Sequence, residues 1–153
     1  MDNKFKLKDR YIAVLKEKNT GYNVQANTND EGEIHSWSIF PNYNSEVSSA
    51  DELAIVISED KITIYISNII KNVDNKEKML TILNSFNSGF GSSIGAYLSI
   101  HSKNFVSLSI TTYYDFLDLD NKINLEIIDR AASLAMDAAD YYYKNIMKEY
   151  YSS

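Results

Sequence analysis

The sequence predicts a single α+β domain in which helices flank an antiparallel sheet. Its 153 residues match the commonest size of one domain, and 44% of them are hydrophobic. Apolar residues recur at helical spacing near both ends and in the middle of the chain, and they alternate with polar residues between these segments. The expected order is therefore helix, three or four strands, helix, two strands, helix, in one domain spanning residues 1–153.

The first predicted helix runs from Phe5 to Asn19, where charged residues separate apolar positions at helical spacing. Asp2 or Asn3 is expected to cap its start. Gly21 follows its end, where a left-handed backbone conformation commonly closes a helix. The segment is therefore interpreted as an amphipathic helix with its basic residues on a solvated face.

The strands are predicted in two groups. Before the second helix, segments 21–24 and 33–40 form two strands of a meander, and Pro41 ends the second because proline has no N–H for the ladder. Alternating isoleucines indicate a hairpin of segments 53–58 and 62–66. After the second helix, alternation over 96–100 and 106–110 predicts another hairpin.

Two further helices are predicted from spacing and start signals. Asp74 begins the second helix, and Glu77 follows three residues later to bond back to the cap. The apolar face of this helix comprises Met79, Leu80, Leu83 and Phe86. The last helix has Asn124 as its expected cap, and its inward positions extend over about six turns, namely Leu125, Ile128, Ala132, Ala135, Ala139, Tyr142 and Ile146. Its alanines are expected to permit close approach to the sheet or to a partner helix.

The segment Ile82-Leu83-Asn84-Ser85-Phe86-Asn87 resembles the signature of YbjN-like proteins, which are similar in fold to the small cytosolic chaperones of type III secretion. A strand hairpin at 97–113 and a long helix at 125–151 follow in the family's order. The resemblance implies a strongly twisted antiparallel sheet with flanking helices, frequent homodimerisation and a role in binding or chaperoning other proteins. It implies no catalytic residues. The Gly/Ser-rich stretch after Asn87 and the Asn-rich loop before Asp51 depart from the family's pattern.

Composition and spacing exclude several kinds of chemistry. The chain has no cysteine, which excludes disulfides and zinc sites built on sulfur. Neither of its two histidines, His35 and His101, has a second ligand at a spacing typical of metal sites. The acidic stretch 115–120 lacks the glycine and the closing glutamate of a calcium loop, and 89–93 lacks the context of a nucleophile elbow or a phosphate loop. We therefore predict no enzyme activity, no cofactor and no metal.

Charge and hydropathy exclude two kinds of partner. The formal net charge is −6, and basic residues do not cluster beyond the first helix, so attraction to nucleic acid should be weak. The longest apolar stretches are strand-sized, so no membrane span is expected. The start of the chain has no apolar signal core, which together with the lack of cysteine is typical of a cytoplasmic protein.

Tyrosine is unusually frequent, with twelve residues that concentrate in the second half of the chain. Tyrosine is enriched at protein interfaces because it combines apolar area with a polar tip. Packing at the boundary of the core explains the same residues equally well. On the first interpretation, the partner-binding surface includes His35, Trp37, Ile39, Tyr113, Tyr114, Tyr141 and Tyr143.

The function expected from these observations is that of a non-catalytic protein-binding or chaperone-like module acting as a homodimer. An alternative is an immunity protein or phage-encoded inhibitor that blocks a macromolecular target through an acidic surface. Clustering of Asp and Glu on one face of the fold would favour this alternative. An enzyme is the least favoured class, because the sequence offers no pair of titratable groups with a reason to be perturbed.

Overall fold

The computed structural model describes residues 3–43, 52–71, 73–91, 96–100, 105–113 and 122–152. This part of the chain contains the helices α1 (Asn3–Glu17), α2 (Lys76–Phe86) and α3 (Lys122–Tyr151). Its strands are β1 (Tyr22–Thr28), β2 (Ile34–Pro41), β3 (Glu52–Ile57), β4 (Lys61–Ile70), β5 (Ala96–Ile100) and β6 (Val106–Tyr113). The predicted α+β class and the predicted order of elements are confirmed, with four strands before α2.

All six strands form one antiparallel sheet in the order β1-β2-β3-β4-β6-β5. Ile55 of β3 lies opposite Ile64 of β4, and Ile64 lies opposite Ile110 of β6. The alternating isoleucines therefore share one face, as the period of two predicts. α1 packs against β2 and β3 on this face, and α3 packs against β3 and β4. The strands β1 and β5 are the two edges of the sheet.

α3 confirms its predicted inward face, since all seven residues assigned to it are buried. Ala132 and Ala139 are fully buried where the helix meets the core. The small side chains thus let a long helix lie close to the central strands, as the sequence predicts.

An asparagine, and not the predicted glycine, closes α1. Asn19 has a φ of 55°, and the N–H of Thr20 donates to the carbonyl of Leu15 at 2.9 Å. A left-handed residue followed by an N–H that reaches back five residues is a common helix ending, and asparagine tolerates this conformation. The prediction for Gly21 is wrong, because Gly21 instead accepts from the N–H of Asn42 at 2.7 Å and begins the pairing of β1 with β2.

The starts of the other helices also differ from prediction. Asn75 caps α2, because its side chain accepts from the N–H of Lys78 at 3.1 Å. Asp74, the predicted cap, is one residue too early for this contact. α3 begins at Lys122, so Asn124 lies within its first turn and is not its cap.

The apolar face of α2 is partly as predicted. Met79 and Leu83 are buried, whereas Leu80 is 38% exposed. Ile82 takes the inward place because it lies three residues after Met79 and so falls on the same side of the helix. Phe86 is half-buried and meets the ring of the buried α3 residue Tyr142 edge-on.

β4 continues beyond its predicted end to Ile70. The pairing of β4 with β6 shifts register between Ile66 and Ile70, and Asn68 in this interval has a φ of 56°. The N–H of Asn68 donates to the hydroxyl of Ser107 at 3.1 Å. This irregularity extends the strand and buries Ile69 together with Ile70.

Several predicted features lie outside the described residues. They are the candidate cap Asp2, most of the loop before Asp51, His101, Tyr114 and the acidic stretch 115–120. Asn3, the other candidate cap, is the first residue of α1.

Candidate protein-binding surface

The β2 residues of the predicted surface have three different environments. Ile39 is fully buried in the core. Trp37 is half-buried beneath α1, where it meets the ring of Phe5 at 5.6 Å and the ammonium of Lys8 at 4.1 Å from its centroid. His35 is exposed and falls at the register shift between β1 and β2. Trp37 and Ile39 therefore hold the fold together, and His35 alone of the three lies at the surface.

The predicted tyrosines are also divided. Tyr141 is 54% exposed on α3, whereas Tyr143 packs half-buried against the core. Tyr113 is the last residue of β6 and lies opposite Lys61, and Tyr114 falls outside the described residues. His35 and Tyr141 are thus the exposed members of the predicted set among those whose side chains are described.

A stripe of exposed apolar residues runs along α3, and it contains Tyr141. Ile127 is 60% exposed and Leu134 is 52% exposed. These residues follow one another at intervals of seven. Seven residues fall only about 20° short of two full turns, so the three side chains form a line. Ala131 and Ala138 lie between them and are half-buried.

We call these five residues the α3 seam. Their spacing of four and three residues is that of the d and a positions of a coiled coil, with large residues at d and alanine at a. On one flank of the seam, the e positions Ile128, Ala135 and Tyr142 are buried in the core. On the other flank, the g positions are Arg130, Asp137 and Lys144. All three are exposed, and none forms an ion pair with another described residue. The seam thus has one charged border with alternating signs.

A recess of about 200 Å³ opens beside the start of the seam. Its walls come from β4, β6 and α3 and are almost entirely apolar, comprising Ile62, Ile64, Ile110, Ile127, Ile128, Ala131 and Asn124. A recess of this kind can accept an apolar side chain from a partner that lies along α3.

Asp129 fastens α3 to the rest of the protein. It is fully buried, and its carboxylate accepts hydrogen bonds from the hydroxyl of Tyr11 at 2.6 Å and from the hydroxyl of Tyr43 at 2.7 Å. The ammonium of Lys18 also donates to it. The buried charge is thus paired with a cation and two donors. One carboxylate connects α3 to α1 and to the segment after β2.

The three groups that donate to Asp129 have raised pKa values. Burial, followed by the hydrogen bond to Asp129, raises the pKa of the Tyr11 hydroxyl far above its ordinary value. Burial and the same carboxylate raise the pKa of Tyr43. The hydrogen bond to Asp129 raises the pKa of Lys18. Both hydroxyls therefore remain neutral donors, and the lysine remains charged, at physiological pH.

A second contact joins the end of α3 to the start of α2. The hydroxyl of Tyr150 donates to the carboxylate of Asp74 and accepts from the N–H of Asn75 at 2.8 Å. The hydrogen bond from Tyr150 lowers the pKa of Asp74. A lowered pKa favours the folded state above the ordinary pKa of the carboxyl group, and this contribution disappears as the pH falls through the lowered value.

We expect a Tyr150→Phe variant to be less stable than the natural protein near pH 7, and we expect the part of this difference that comes from Asp74 to disappear in acid. The part that comes from the bond to the N–H of Asn75 does not depend on pH. Urea unfolding at about pH 7, 4 and 2.5 measures the difference in the free energy of unfolding across this range. Asp74→Asn should show the same trend. Tyr151→Phe is the matched control, because Tyr151 is 77% exposed and belongs to the same turn. A difference that is constant from about pH 7 to 2.5 would contradict the role of Asp74.

Other parts of the described residues bear on metal binding and on a second recess. No three of their His, Asp or Glu side chains converge in a way that could hold a metal ion. A recess of about 680 Å³ at the start of α2 is lined by residues 74–78 with Tyr150 and Tyr151. Its polar groups include those of the Asp74–Tyr150 contact. Among the described helices, none is both long and apolar enough to cross a membrane.

Comparison with known proteins returns no matching protein-family model and no matching curated protein. Fold and surface together define an α+β domain whose last helix carries an exposed seam of coiled-coil type.

Two features of this surface were not predicted from the sequence, although each has a signal there. The seam is visible as a heptad interval among Ile127, Leu134 and Tyr141. Asp129 lies four residues after Leu125 and three before Ala132, so it occupies a core position of the helix. A carboxylate at such a position requires buried partners, which could have been sought among the polar residues of α1.

Proposed function

We propose that the chain is a non-catalytic protein-binding module that holds an amphipathic helix of another protein against the α3 seam. The exposed alternation of large and small residues from Ile127 to Tyr141 carries this proposal. A helix that only covered the core would have polar residues on the side that faces away from the sheet. Apolar residues repeated at d and a positions instead suit the insertion of side chains from a second helix.

The chemistry of the partner follows from the border of the seam. Arg130, Asp137 and Lys144 present plus, minus and plus in order along α3. A complementary helix carries an acid, a base and an acid at heptad intervals, and this order reads the same in either direction of the helix. Because Ala131 and Ala138 are small, the partner has room for large apolar residues such as leucine between the layers of the seam.

The resemblance to YbjN-like and type III secretion chaperone-like proteins agrees with such a role, since a chaperone of this kind shields an apolar segment of another protein. Membership of the family remains a prediction that rests on the segment Ile82–Asn87 and on the order of elements. The lack of cysteine supports a cytoplasmic location.

A designed helical peptide is the most direct probe of the seam. It has leucine at its a and d positions and Glu, Lys and Glu at the flanking positions that face α3. We expect binding in the micromolar range, and we expect Leu134→Asp to weaken it at least about tenfold, because a carboxylate would be buried in an apolar contact. Fluorescence anisotropy of the labelled peptide measures both affinities.

Two controls make this test specific. Leu80→Asp places the same charge at an exposed apolar position of α2 and should leave the affinity unchanged. A peptide with Lys, Glu and Lys at the flanking positions should bind more weakly, because like charges then meet Arg130, Asp137 and Lys144. Equal binding by the Leu134→Asp variant and the natural protein would disprove the proposal.

The inhibitor alternative is supported by one observation. The β1–β2 and β3–β4 turns lie at the same end of the antiparallel sheet and together expose Asp30, Glu31, Glu33, Glu59 and Asp60. A basic target would bind at this end of the sheet and not at the seam. Charge reversal at Glu31 and Glu59 would then abolish capture of the target from cell extract, whereas Leu134→Asp would not affect it.

A further inference from the structure

The two edge strands of the sheet differ in whether their outward backbone groups form hydrogen bonds. At the β5 edge, the middle residue Leu98 is bonded to the side chain of Asn87, which follows α2. The carboxamide of Asn87 accepts from the N–H of Leu98 and donates to its carbonyl, each at 2.8 Å. The side chain thus takes the place that a neighbouring strand would take. An edge strand of five residues that is bonded in this way at its middle residue is poorly available for pairing with another chain.

The β1 edge is open along the described part of the chain. Because the N–H of Asn42 donates to Gly21, alternate residues from Gly21 onward direct their backbone groups towards β2. Past the register shift, the N–H of Asn29 donates to Glu33, so Asn29 also faces β2. The remaining residues direct their N–H and carbonyl groups outward, and no described residue bonds to these groups; they are Tyr22, Val24, Ala26 and Thr28.

We propose that β1 pairs antiparallel with β1 of a second copy of this chain, about a two-fold axis at Gln25. In this register Val24 lies opposite the partner's Ala26, and Tyr22 lies opposite the partner's Thr28. These are the residues whose backbone groups point outward, so every outward group of the strand gains a partner. The two six-stranded sheets become one continuous sheet.

The charges of the chain are compatible with this pairing. β1 contains no charged residue, although the chain has a net charge of −6, so two copies can approach along this edge without repulsion between facing side chains. At each end of the paired strands, the β1–β2 turn of one copy, with Asp30 and Glu31, lies nearest the end of the partner's α1. There Lys16 is exposed, and Glu17 is already paired with Lys122.

The side chains on the open face are also compatible with this pairing. The amide of Gln25 meets the partner's Gln25 across the axis, and Asn23 meets the partner's Asn27. Amides both donate and accept, so each of these pairs can form a hydrogen bond. This dimer uses a different surface from the α3 seam and does not depend on the proposed function.

The backbone pairing is tested with Ala26→Pro. Proline removes an N–H that points away from β2, so the fold should tolerate it at this edge. The pairing of residues 24 and 26 occurs twice in the dimer, so the proline affects both pairs. We expect the dissociation constant of the dimer to increase at least about tenfold. Sedimentation over a range of concentrations measures the mass, with the natural protein approaching twice the 17.5 kDa of one chain.

The register is tested by charge at residue 25, which also covers the case in which the proline variant does not fold. Gln25→Lys and Gln25→Glu each bring like charges together at the axis and should each weaken the dimer, whereas their equal mixture should restore it. Asn23→Lys is the matched control, because its lysine meets an amide and should leave the mass unchanged.

Three results would overturn the proposal. One is a natural protein that stays monomeric up to about millimolar concentration, which is the range of weak edge pairing. Another is a dimer that neither Ala26→Pro nor Gln25→Lys affects. The third is a dimer that Leu134→Asp dissociates, because the second copy would then occupy the α3 seam.

Discussion

An Asp129→Ala variant is expected to lose about 3 kcal/mol of its free energy of unfolding. The carboxylate is fully buried and accepts from Tyr11, Tyr43 and Lys18. Its removal leaves the buried hydroxyl of Tyr11 without an acceptor and removes the hydrogen bonds that connect α3 to α1 at this point. Lys18 is 45% exposed at its side chain and can turn to water, so the loss of the ion pair contributes the smaller part. Urea unfolding followed by circular dichroism measures the change.

A double-mutant cycle separates the hydrogen bond from the effect of truncation. Tyr11→Phe alone removes one donor from a buried carboxylate and should destabilise the fold by about 1–3 kcal/mol. In an Asp129→Leu background the same substitution should have little effect, because both polar partners are then absent. Equal effects in the two backgrounds would show that the Tyr11–Asp129 contact does not stabilise the protein.

The consequence of the Asp129 variant extends to the seam. Asp129 lies between Ile127 and Ala131 in the chain but points to the opposite side of α3, towards α1. A helix that is held less firmly presents its seam less rigidly, and an ordered binding surface loses less entropy when a partner docks. The network is thus expected to support binding through the position of the helix, without any contact to the partner.

Most of the fold was predictable because it depends on local periodicity. The isoleucines at alternate positions of β3 and β4 define one face without any knowledge of what covers it. The inward residues of α3 follow from their spacing in the same way. The helix ends were predicted less well, because several residue types can cap a helix. Asn19 closes α1 in place of Gly21, and Asn75 caps the start of α2 in place of Asp74.

The candidate surface was less predictable because it depends on which residues tertiary contacts cover. Trp37 and Ile39 alternate with His35 along one strand, and only the packing of α1 shows that two of them are covered. Tyr11 and Asp129 are separated by 118 positions in the chain, so no local pattern connects them. The exposed seam likewise becomes recognisable only once the opposite face of α3 is known to fill the core.

An Ile66→Ala variant is expected to destabilise the protein by about 2–5 kcal/mol. Ile66 is fully buried in β4, opposite Leu53 on one side and Leu108 on the other. Three strands meet at this layer of the core, so the surrounding side chains cannot collapse easily into the space that truncation leaves. Denaturant unfolding measures the loss as a lower midpoint with an unchanged slope.

Thr63 provides the control from the same strand. Its side chain lies on the face opposite to that of Ile66, and its hydroxyl lies 3.2 Å from the hydroxyl of Thr111 in an exposed contact. Thr63→Ala removes one partly exposed contact and should cost less than about 1 kcal/mol. The contrast tests the assignment of faces itself, because a shift of one residue in the register of β4 would exchange the two positions. If Thr63→Ala were the more damaging substitution, the face assigned to the core would be the wrong one.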